Sequence, residues 1–304
     1  MKICILGSRE KTKQDLWLIE EARKRFEKVS YVQIPDIRIH EGEAYFKGGK
    51  LSEYDCVFPR IPRTYKNFGY VITKLLENRV FMPMTPESVI ITHDKFLTLL
   101  KLEDANISIP VSYLSFTMES MKPVLGAIKY PLVIKLVSGS LGKGVMFAES
   151  KSSAVSLLDT VESMKQPIMV EEYIDNPGED IRALVVGSEV VAAMKRIAEK
   201  GERRANIGAG GTGKKIRLSR EMSDIAVRTA KALGLGIAGI DIIESKRGPL
   251  VIEANVNVHF EGITEATGVN VAAAMMDYAK KETELFRNGG TLSHFLGMDV
   301  RWKL

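Results

Sequence analysis

Three oxygen-bearing side chains lie in or directly after two apolar segments of the last third of the chain. Asp241 stands within the apolar segment 237–243, and Glu253 and Asn255 follow apolar residues 250–252. A charge inside an apolar strand is costly unless a cation or a metal ion compensates it. Glu253 and Asn255 are two positions apart, so they face the same side of a strand. Because carboxylate and amide oxygens are ligands that magnesium prefers, this stretch predicts a magnesium site shared with nucleotide phosphates.

A glycine-rich segment between two predicted strands is the second candidate. Residues 138–144 read Ser-Gly-Ser-Leu-Gly-Lys-Gly, and glycine lets several backbone N–H groups approach one anion. We expect phosphate contacts from Ser140, Gly142 and Gly144, while a flexible hairpin would have the same composition. The segment lacks the Gly-Lys-Ser/Thr ending of a P-loop, which disfavours a Walker site. Lys135 precedes it in an apolar strand, where its ammonium must reach solvent or meet a fixed anion.

Basic side chains follow a predicted strand in the first third and begin a later helix. Arg60, Arg63 and Lys66 come after the strand 55–59, at the edge where the strands of a parallel sheet should end. Arginine binds phosphate or carboxylate through two donors, so this basic cluster is either a cradle for an anionic substrate or a solvated loop. Lys95 begins a helix, where its charge opposes the helix dipole. It is therefore a surface lysine or the partner of a nearby anion.

Two further groups occur in the middle of the chain. Residues 171–174 read Glu-Glu-Tyr-Ile and end a predicted strand just before a turn. This segment could join two lobes and offer backbone groups to the edge of a purine; exposed strand-end glutamates are the simpler alternative. Asp180 and Arg182, two positions apart, share one face of a predicted hairpin, and Arg196 ends its second strand. Arginine keeps its charge at any working pH, so these residues suit a clamp for phosphate or carboxylate.

Alternating strands and helices must position these residues. In the first third the alternation is typical of the α/β class, with a parallel sheet and helices on its faces. The middle third reads as strand, helix, strand, glycine loop, strand, helix and strand. The predicted strands elsewhere are 2–7, 29–34, 55–59, 181–186, 190–195, 237–243 and 250–253, and the predicted helices run through Leu18, Ala22 and Phe26 and over 66–78, 94–104 and 267–286.

Composition narrows the class of protein. The 304 residues are 45% apolar and 27% charged, so the chain can bury a core of enzyme size. No apolar run is long enough to span a membrane and the N-terminus reads as a strand, which favours a cytoplasmic protein. Cys4 and Cys56 fall in apolar strands and are expected to be buried, reduced thiols. The net charge of +5 suits anionic small molecules, whereas a nucleic-acid platform would need interleaved aromatic residues.

Together these motifs resemble the ATP-grasp ligases, and among them the RimK-type glutamate ligases. The matching blocks, in the family's order, are Phe58-Pro59-Arg60-Ile61, His93-Asp94-Lys95, the segment from Lys135 to Val145, Glu172-Tyr173-Ile174, Asp180-Ile181-Arg182, Ala192 to Arg196, Arg204-Ala205-Asn206, and Gly248 to Asn255. The resemblance implies an ATP-grasp fold with an N-terminal parallel α/β substrate domain over residues 1–90. Two α+β lobes that enclose the nucleotide would follow, over 91–173 and 174–304.

The resemblance also implies a role for each motif. The implied nucleotide contacts are Lys95, Lys135, Ser140, Gly142, Gly144, Glu172, Tyr173, Ile174, Asp180, Arg204 and Asn206, with adenine at 172–174 and the ribose at Asp180. The implied catalytic residues are Arg196, Asn206 and Lys135, and the implied ligands of magnesium or manganese are Asp241, Glu253 and Asn255. The expected substrate contacts are Arg60, Arg63, Arg182, Asn257 and His259.

The segment after Asn255 departs from the family. Members that modify ribosomal proteins continue with a small residue and Ser-Pro-Gly, whereas this chain continues Val-Asn-Val-His-Phe-Glu-Gly. Because this segment should border the acyl site, we expect Asn257 and His259 to contact substrate. An acid–base role and a purely structural role for His259 both stay open.

The implied chemistry is ATP-dependent amide formation through an acyl phosphate. We expect L-glutamate as the amine. The basic cluster of Arg60, Arg63 and Lys66 favours an anionic carboxylate acceptor, such as a coenzyme of the methanopterin or deazaflavin type. The alternatives are a ribosomal protein C-terminus, an amino-group carrier protein of lysine biosynthesis, or a nucleotide-binding regulator without turnover. The sequence leaves the oligomeric state open, a homo-oligomer included.

Overall fold

The first part of the chain forms a parallel sheet with flanking helices. The computed structural model describes residues 1–137, 144–176, 178–199 and 211–289. In chain order the elements are β1 (Lys2–Gly7), α1 (Lys13–Arg23), β2 (Lys28–Gln33), β3 (Arg38–His40), β4 (Glu43–Phe46), β5 (Gly49–Lys50), β6 (Cys56–Pro59), α2 (Lys66–Leu76) and α3 (Pro86–Thr92). β1 pairs in parallel with β2 and β6, which confirms the predicted parallel sheet. The small antiparallel sheet β3-β4-β5 was not predicted.

The middle part is an antiparallel sheet with two helices. Its elements are α4 (Lys95–Asp104), β7 (Ser112–Ser115), α5 (Met118–Ala127), β8 (Leu132–Leu136), β9 (Val145–Ala148), α6 (Lys151–Ser163) and β10 (Ile168–Glu172). The strand order is β7-β10-β8-β9, and the succession of strands and helices from β7 to β10 is the predicted one. Asp94 caps α4, because its carboxylate accepts from the backbone N–H groups of Phe96 and Leu97. This cap fixes the start of the helix from which Lys95 projects.

The last part is a five-stranded antiparallel sheet. Its elements are β11 (Glu179–Val186), β12 (Glu189–Ile197), β13 (Thr212–Lys215), α7 (Arg220–Ala232), β14 (Ile237–Ser245), β15 (Gly248–Asn255), α8 (Glu261–Thr267) and α9 (Val271–Arg287). The strand order is β13-β12-β11-β14-β15. The single helix predicted over 267–286 is wrong at its start. Gly268, with a positive φ of 71°, ends α8, and Asn270 caps α9.

Two buried apolar clusters hold these sheets together. The larger one joins residues of β1 and β6 with residues of β11, β14 and α9, so the first and last parts share a core. The middle sheet has its own cluster around Leu132, Ile134, Ile168 and Val170. Position 90 falls inside α3 and position 173 directly follows β10. The domain boundaries stay predictions.

Two smaller predictions concern thiols and membranes. Cys4 and Cys56 are buried and free, as predicted, and burial raises the pKa of Cys56 to about 12. Within the described ranges, every helix is too short or too polar to cross a lipid bilayer.

Candidate active site

A cavity of about 210 Å³ lies where the end of β15 faces the start of α4 and the strand β8. We call it the central cavity. It brings together residues that are far apart in the chain. The predicted site residues that line it are Arg63, Lys95, Lys135, Glu253, Asn255, Asn257 and His259. Two lysines therefore share a cavity with a carboxylate and two amide side chains.

The three predicted metal ligands sit on the neighbouring strands β14 and β15. Asp241 is directly opposite Glu253 in the strand pairing, so both carboxylates lie on the same face of the sheet. Glu253 is partly exposed, and the Lys95 ammonium lies 3.4 Å from its Oε1 atom. Lys95 at this helix start therefore has an anion nearby, which is one of the two alternatives that the sequence left open. Asp241, in contrast, is buried and meets two arginines.

Four charged side chains form a buried network on β11, β12 and β14. Arg182 donates to both oxygens of Asp241, at 2.7 and 2.6 Å, and Arg196 donates to both oxygens of Asp180, at 2.5 and 2.7 Å. A further ion pair of 2.9 Å joins Arg196 to Asp241 Oδ2. Each pair is directly opposite in register, Arg182 with Asp241 and Asp180 with Arg196. Strand pairing therefore fixes the position of both guanidinium groups.

Burial and the neighbouring arginines shift the pKa values of Asp180 and Asp241 in opposite directions. Burial alone would raise the pKa of Asp241, but Arg182 and Arg196 outweigh it and lower this pKa to about 2. For Asp180 burial prevails over Arg196 and raises the pKa. Asp180 was expected to hold the ribose. Its carboxylate is instead buried and occupied by Arg196, so this geometry supports a role in positioning Arg196.

The donor set of the predicted metal site fits a hard cation. In the described part of the chain no group of three His, Cys, Asp or Glu side chains could hold a metal ion, so Asp241 and Glu253 would need a further donor such as the Asn255 amide, water or a phosphate oxygen. The Asn255 Nδ2 atom is buried and has no hydrogen-bond partner among the described residues. Asp241 Oδ1 accepts one hydrogen bond and keeps a lone pair. Oxygens of Asp241, Glu253 and Asn255 suit magnesium or manganese.

Glu171 is the partner of Lys135, a pairing that the sequence did not predict although it placed Glu171 in the candidate segment 171–174. Its Oε1 atom lies 2.5 Å from the Lys135 ammonium, and both side chains are largely buried. Lys135 is opposite Met169 in the strand pairing, so Glu171, two positions further on the same face, is its diagonal neighbour. The signal was available, because Glu171 interrupts an apolar strand just as Asp241 does. The fixed anion that Lys135 required is thus a protein carboxylate.

The segment predicted to hold adenine follows β10. Glu172 accepts from the Val111 backbone N–H at 2.8 Å and forms an ion pair with Arg247, so its side chain is engaged by protein groups. Tyr173 packs edge to face on Phe147, with 6.1 Å between ring centroids. Ile174 follows without a strand of its own. Any purine contact at this segment would therefore rely on its backbone groups.

Several predicted nucleotide contacts lie outside the described residues. These are Ser140, Gly142, Arg204 and Asn206. Gly144 is described and has a φ of +81°, a backbone conformation that favours glycine. Its carbonyl accepts from the Leu136 N–H at 2.9 Å, which closes the base of the glycine segment between β8 and β9.

The surroundings of Arg60 do not support the predicted contact with substrate. Arg60 is only 6% exposed, and its guanidinium donates to Asp15 at 2.7 Å and to the Val258 carbonyl at 3.1 Å. It therefore ties α1 to the segment after β15. Arg63 does line the central cavity, where it donates to the backbone carbonyls of His93 and Val137. The basic cluster is consequently not a continuous cradle for an anion, because its first member faces the protein interior.

The chain is similar to known proteins over most of its length. The profile of the RimK-like ATP-grasp domain matches residues 92–279. A protein of Azotobacter vinelandii (strain DJ / ATCC BAA-1303) named "Probable alpha-L-glutamate ligase" is 35% identical over 292 residues, which cover 93% of this chain and 97% of the relative. A protein of the same name from Methanococcoides burtonii is 35% identical over 289 residues, covering 92% and 96%.

Solved structures share the fold at lower identity. The ATP-grasp ligase PsnB in complex with a minimal precursor superposes with a TM-score of 0.74 at 19% identity, covering 92% of this chain and 98% of PsnB. D-alanine–D-alanine ligase from Bacillus anthracis in complex with ATP gives a TM-score of 0.65 at 18% identity, covering 95% and 100%. The family domain matches residues 92–279, and the relative from Azotobacter vinelandii is 35% identical over 93% of the chain. The chain therefore belongs to the RimK-like ATP-grasp family and is an ATP-grasp ligase.

Proposed function

We propose that this ligase joins L-glutamate to a carboxylate acceptor through an acyl phosphate. The observation that carries the proposal is the central cavity, in which Lys95 and Lys135 lie close to Glu253 and Asn255. Two cations and a set of oxygen ligands suit a triphosphate and its metal ion. L-Glutamate is supported by the name of the relatives that match almost the whole chain.

The reaction would proceed in two balanced steps. An oxygen of the acceptor carboxylate attacks the γ-phosphorus of ATP, the bond to the bridging oxygen breaks, and ADP leaves. The amine of glutamate then attacks the acyl carbon, the bond to phosphate breaks, and the nitrogen loses a proton to give the amide. Neither step needs a protein nucleophile, so catalysis rests on positioning and on compensation of negative charge.

The residues of this chain supply that compensation. Lys95 and Lys135, which line the central cavity, would bind phosphate oxygens. Arg196 has a side chain that is only 5% exposed and is held by Asp180 and Asp241, so it would have to give up part of this pairing to reach the transferred phosphoryl group. A guanidinium that two carboxylates already hold loses little freedom when it binds an anion. Asp241, Glu253 and Asn255 would hold magnesium, which neutralises phosphate charge and polarises the phosphoryl group when bound.

The acceptor is better sought among peptides and proteins than among polyanionic coenzymes. The coenzyme hypothesis rested on Arg60, Arg63 and Lys66, and Arg60 is buried against Asp15. A chain end, such as a ribosomal protein C-terminus or an amino-group carrier protein, needs a site for only one carboxylate. PsnB, which shares the fold, has been solved with a precursor peptide.

An ADP-release assay with magnesium, ATP and L-glutamate tests the proposal. The acceptor panel holds a peptide with a C-terminal glutamate, a pterin-type coenzyme and a deazaflavin-type coenzyme, each assayed with and without L-glutamate. We expect ADP release with the peptide, with a mass increase of one glutamyl residue, and its loss in Lys95→Met. Turnover only with a coenzyme would contradict the choice of acceptor. ATP binding without turnover on any acceptor would favour a nucleotide-binding regulator.

A further inference from the structure

Gln14 is buried between the first turn of α1 and the segment that follows β15. Its side-chain oxygen accepts from the Phe260 backbone N–H at 3.0 Å and lies 3.4 Å from a guanidinium nitrogen of Arg60. Both of these groups are donors only, so the Gln14 atom that faces them must be the amide oxygen. The hydrogen-bond network thus fixes the orientation of this amide.

The amide nitrogen of Gln14 consequently faces the His259 imidazole, with 3.4 Å between Nε2 of Gln14 and Nδ1 of His259. An amide NH₂ group can only donate, so His259 Nδ1 must present a lone pair. A neutral imidazole then carries its proton on Nε2. The His259 side chain is exposed overall, but partial burial of its ring and the charges of Arg60 and Arg182 outweigh Asp15 and lower its pKa, which favours the neutral ring.

The consequence concerns the central cavity, which His259 lines together with Asn257 and Arg63. Among the described residues none forms a hydrogen bond with His259 Nε2, whereas Nδ1 is engaged by Gln14. A general base needs a lone pair directed at the proton that it removes. In the neutral imidazole only Nδ1 carries a lone pair in the ring plane, and this lone pair is directed at Gln14. The ring can therefore donate a hydrogen bond through Nε2–H, but it cannot accept a proton from a group in the cavity.

We propose that Gln14 holds His259 in the Nε2–H tautomer and that His259 donates this hydrogen to a carboxylate oxygen of a substrate in the central cavity. Gln14 is then a positioning residue that acts through His259. The substrate part of the inference rests on the proposed function, in which both the acceptor and L-glutamate carry a carboxylate. The tautomer itself follows from the geometry of Gln14 alone.

The tautomer can be measured by two-bond ¹H–¹⁵N correlation spectra of the ligand-free protein. We expect a protonated Nε2 and an unprotonated Nδ1 for His259, and an average of both tautomers in Gln14→Met. His40, which is 71% exposed and lies 3.6 Å from Glu41, is the internal control, and its spectrum should be the same in both proteins. A protonated Nδ1 in His259, or an unchanged spectrum in Gln14→Met, would overturn the inference.

Kinetics of His259 variants test the substrate contact. His259→Gln keeps an N–H donor at the position of Nε2, so it should keep the KM values within about threefold, whereas His259→Leu should raise one KM about tenfold or more. A rise in the KM for L-glutamate assigns the contact to the amino acid, and a rise in the KM for the peptide assigns it to the acceptor. Unchanged KM values in His259→Leu refute the contact.

The pH profile separates the donor from a base. If His259 were a base, His259→Leu and His259→Gln would both lose the acidic limb of kcat/KM, which would overturn the inference. We expect that limb to persist in both variants. Absence of ADP release by the unmodified enzyme would count against the proposed function and the carboxylate contact, and the spectra would still decide the tautomer.

Discussion

The Lys135–Glu171 pair should contribute far more to the stability of the middle sheet than a surface ion pair would. The ammonium and the carboxylate are 2.5 Å apart, and the side chains are only 13% and 4% exposed. Removing one partner of a buried pair costs about 3–5 kcal/mol, because the remaining charge loses its compensation. Glu171 has one other described side-chain contact, to the Ser112 hydroxyl at 3.4 Å, which is too long to replace an ammonium. We therefore expect Lys135→Met to cost about 3 kcal/mol.

A double-mutant cycle isolates the interaction from the other effects of each substitution. The cycle consists of Lys135→Met, Glu171→Gln and the double variant, and we expect a coupling energy of about 2 kcal/mol. The matched control is the Lys195–Glu179 pair, which has a similar distance of 2.6 Å but side chains that are 31% and 28% exposed. Exposed pairs contribute about 0.2–1 kcal/mol, so the control cycle should give a coupling in that range.

Peptide-resolved hydrogen exchange is the suitable assay, since the middle sheet has a core of its own and need not unfold with the rest. The free energy of opening is compared for the peptides of β8 and β10 in the first cycle and of β11 and β12 in the control. Equal coupling energies in the two cycles, or a value below about 0.5 kcal/mol for Lys135 and Glu171, would refute the reasoning from burial. Lys135→Met should also weaken ADP binding, and Lys195→Met should not.

Three other predictions concern Arg60, Glu253 and His93. Arg60→Met should lower the free energy of unfolding by about 3 kcal/mol in urea titrations, because buried Asp15 loses its guanidinium partner. A rise in the KM for the acceptor without loss of stability would instead support a substrate contact by Arg60. Glu253→Gln should weaken magnesium-dependent ADP binding about tenfold or more by calorimetry, while the exposed control Glu244→Gln on β14 should not. Burial lowers the pKa of His93 from 6.5 to about 4, so the unfolded chain binds this proton first as pH falls. The free energy of unfolding should therefore fall by about 2–3 kcal/mol between pH 6.5 and pH 4 because of His93. The His93→Gln variant should lose less free energy of unfolding over that range. Equal pH dependence in the two proteins would contradict the assignment.

The sequence predicted those parts of the fold and site that depend on local pattern. Apolar runs located the strands, and the spacing of Glu253 and Asn255 placed them on one face of β15, where both line the central cavity. Lys135 was expected either to reach solvent or to meet a fixed anion, because a lysine in an apolar strand needs one or the other. The structure supplies that anion. In each case the requirement is set by a residue and its immediate neighbours, so the sequence alone expresses it.

The ion-pair partner of each buried charge could not be predicted from the sequence, because the partner is distant in the chain. Asp241 clearly required a cation or a metal, but its arginine partner on β11 is 59 positions away, at Arg182. Arg60 illustrates the opposite case. It was expected at the substrate because it follows a strand at the edge of the predicted sheet and arginine binds carboxylate or phosphate well. Its carboxylate partner Asp15 instead belongs to a helix, 45 positions earlier in the chain. A charged residue within an apolar segment indicates that its charge must be compensated. The three-dimensional fold determines which residue compensates it.

The segment after β15 shows how such long-range contacts bear on specificity. This chain has Asn257, His259 and Phe260 where ribosomal-protein-modifying members of the family have a Ser-Pro-Gly turn. Phe260 is fully buried against Trp17 of α1, with 6.1 Å between ring centroids, and its backbone N–H is bound by Gln14. The anchor of the segment therefore belongs to the first part of the chain. The side chains that we propose as substrate contacts and the helix that orients them form one unit, so we expect residues of α1 and of this segment to determine substrate choice together.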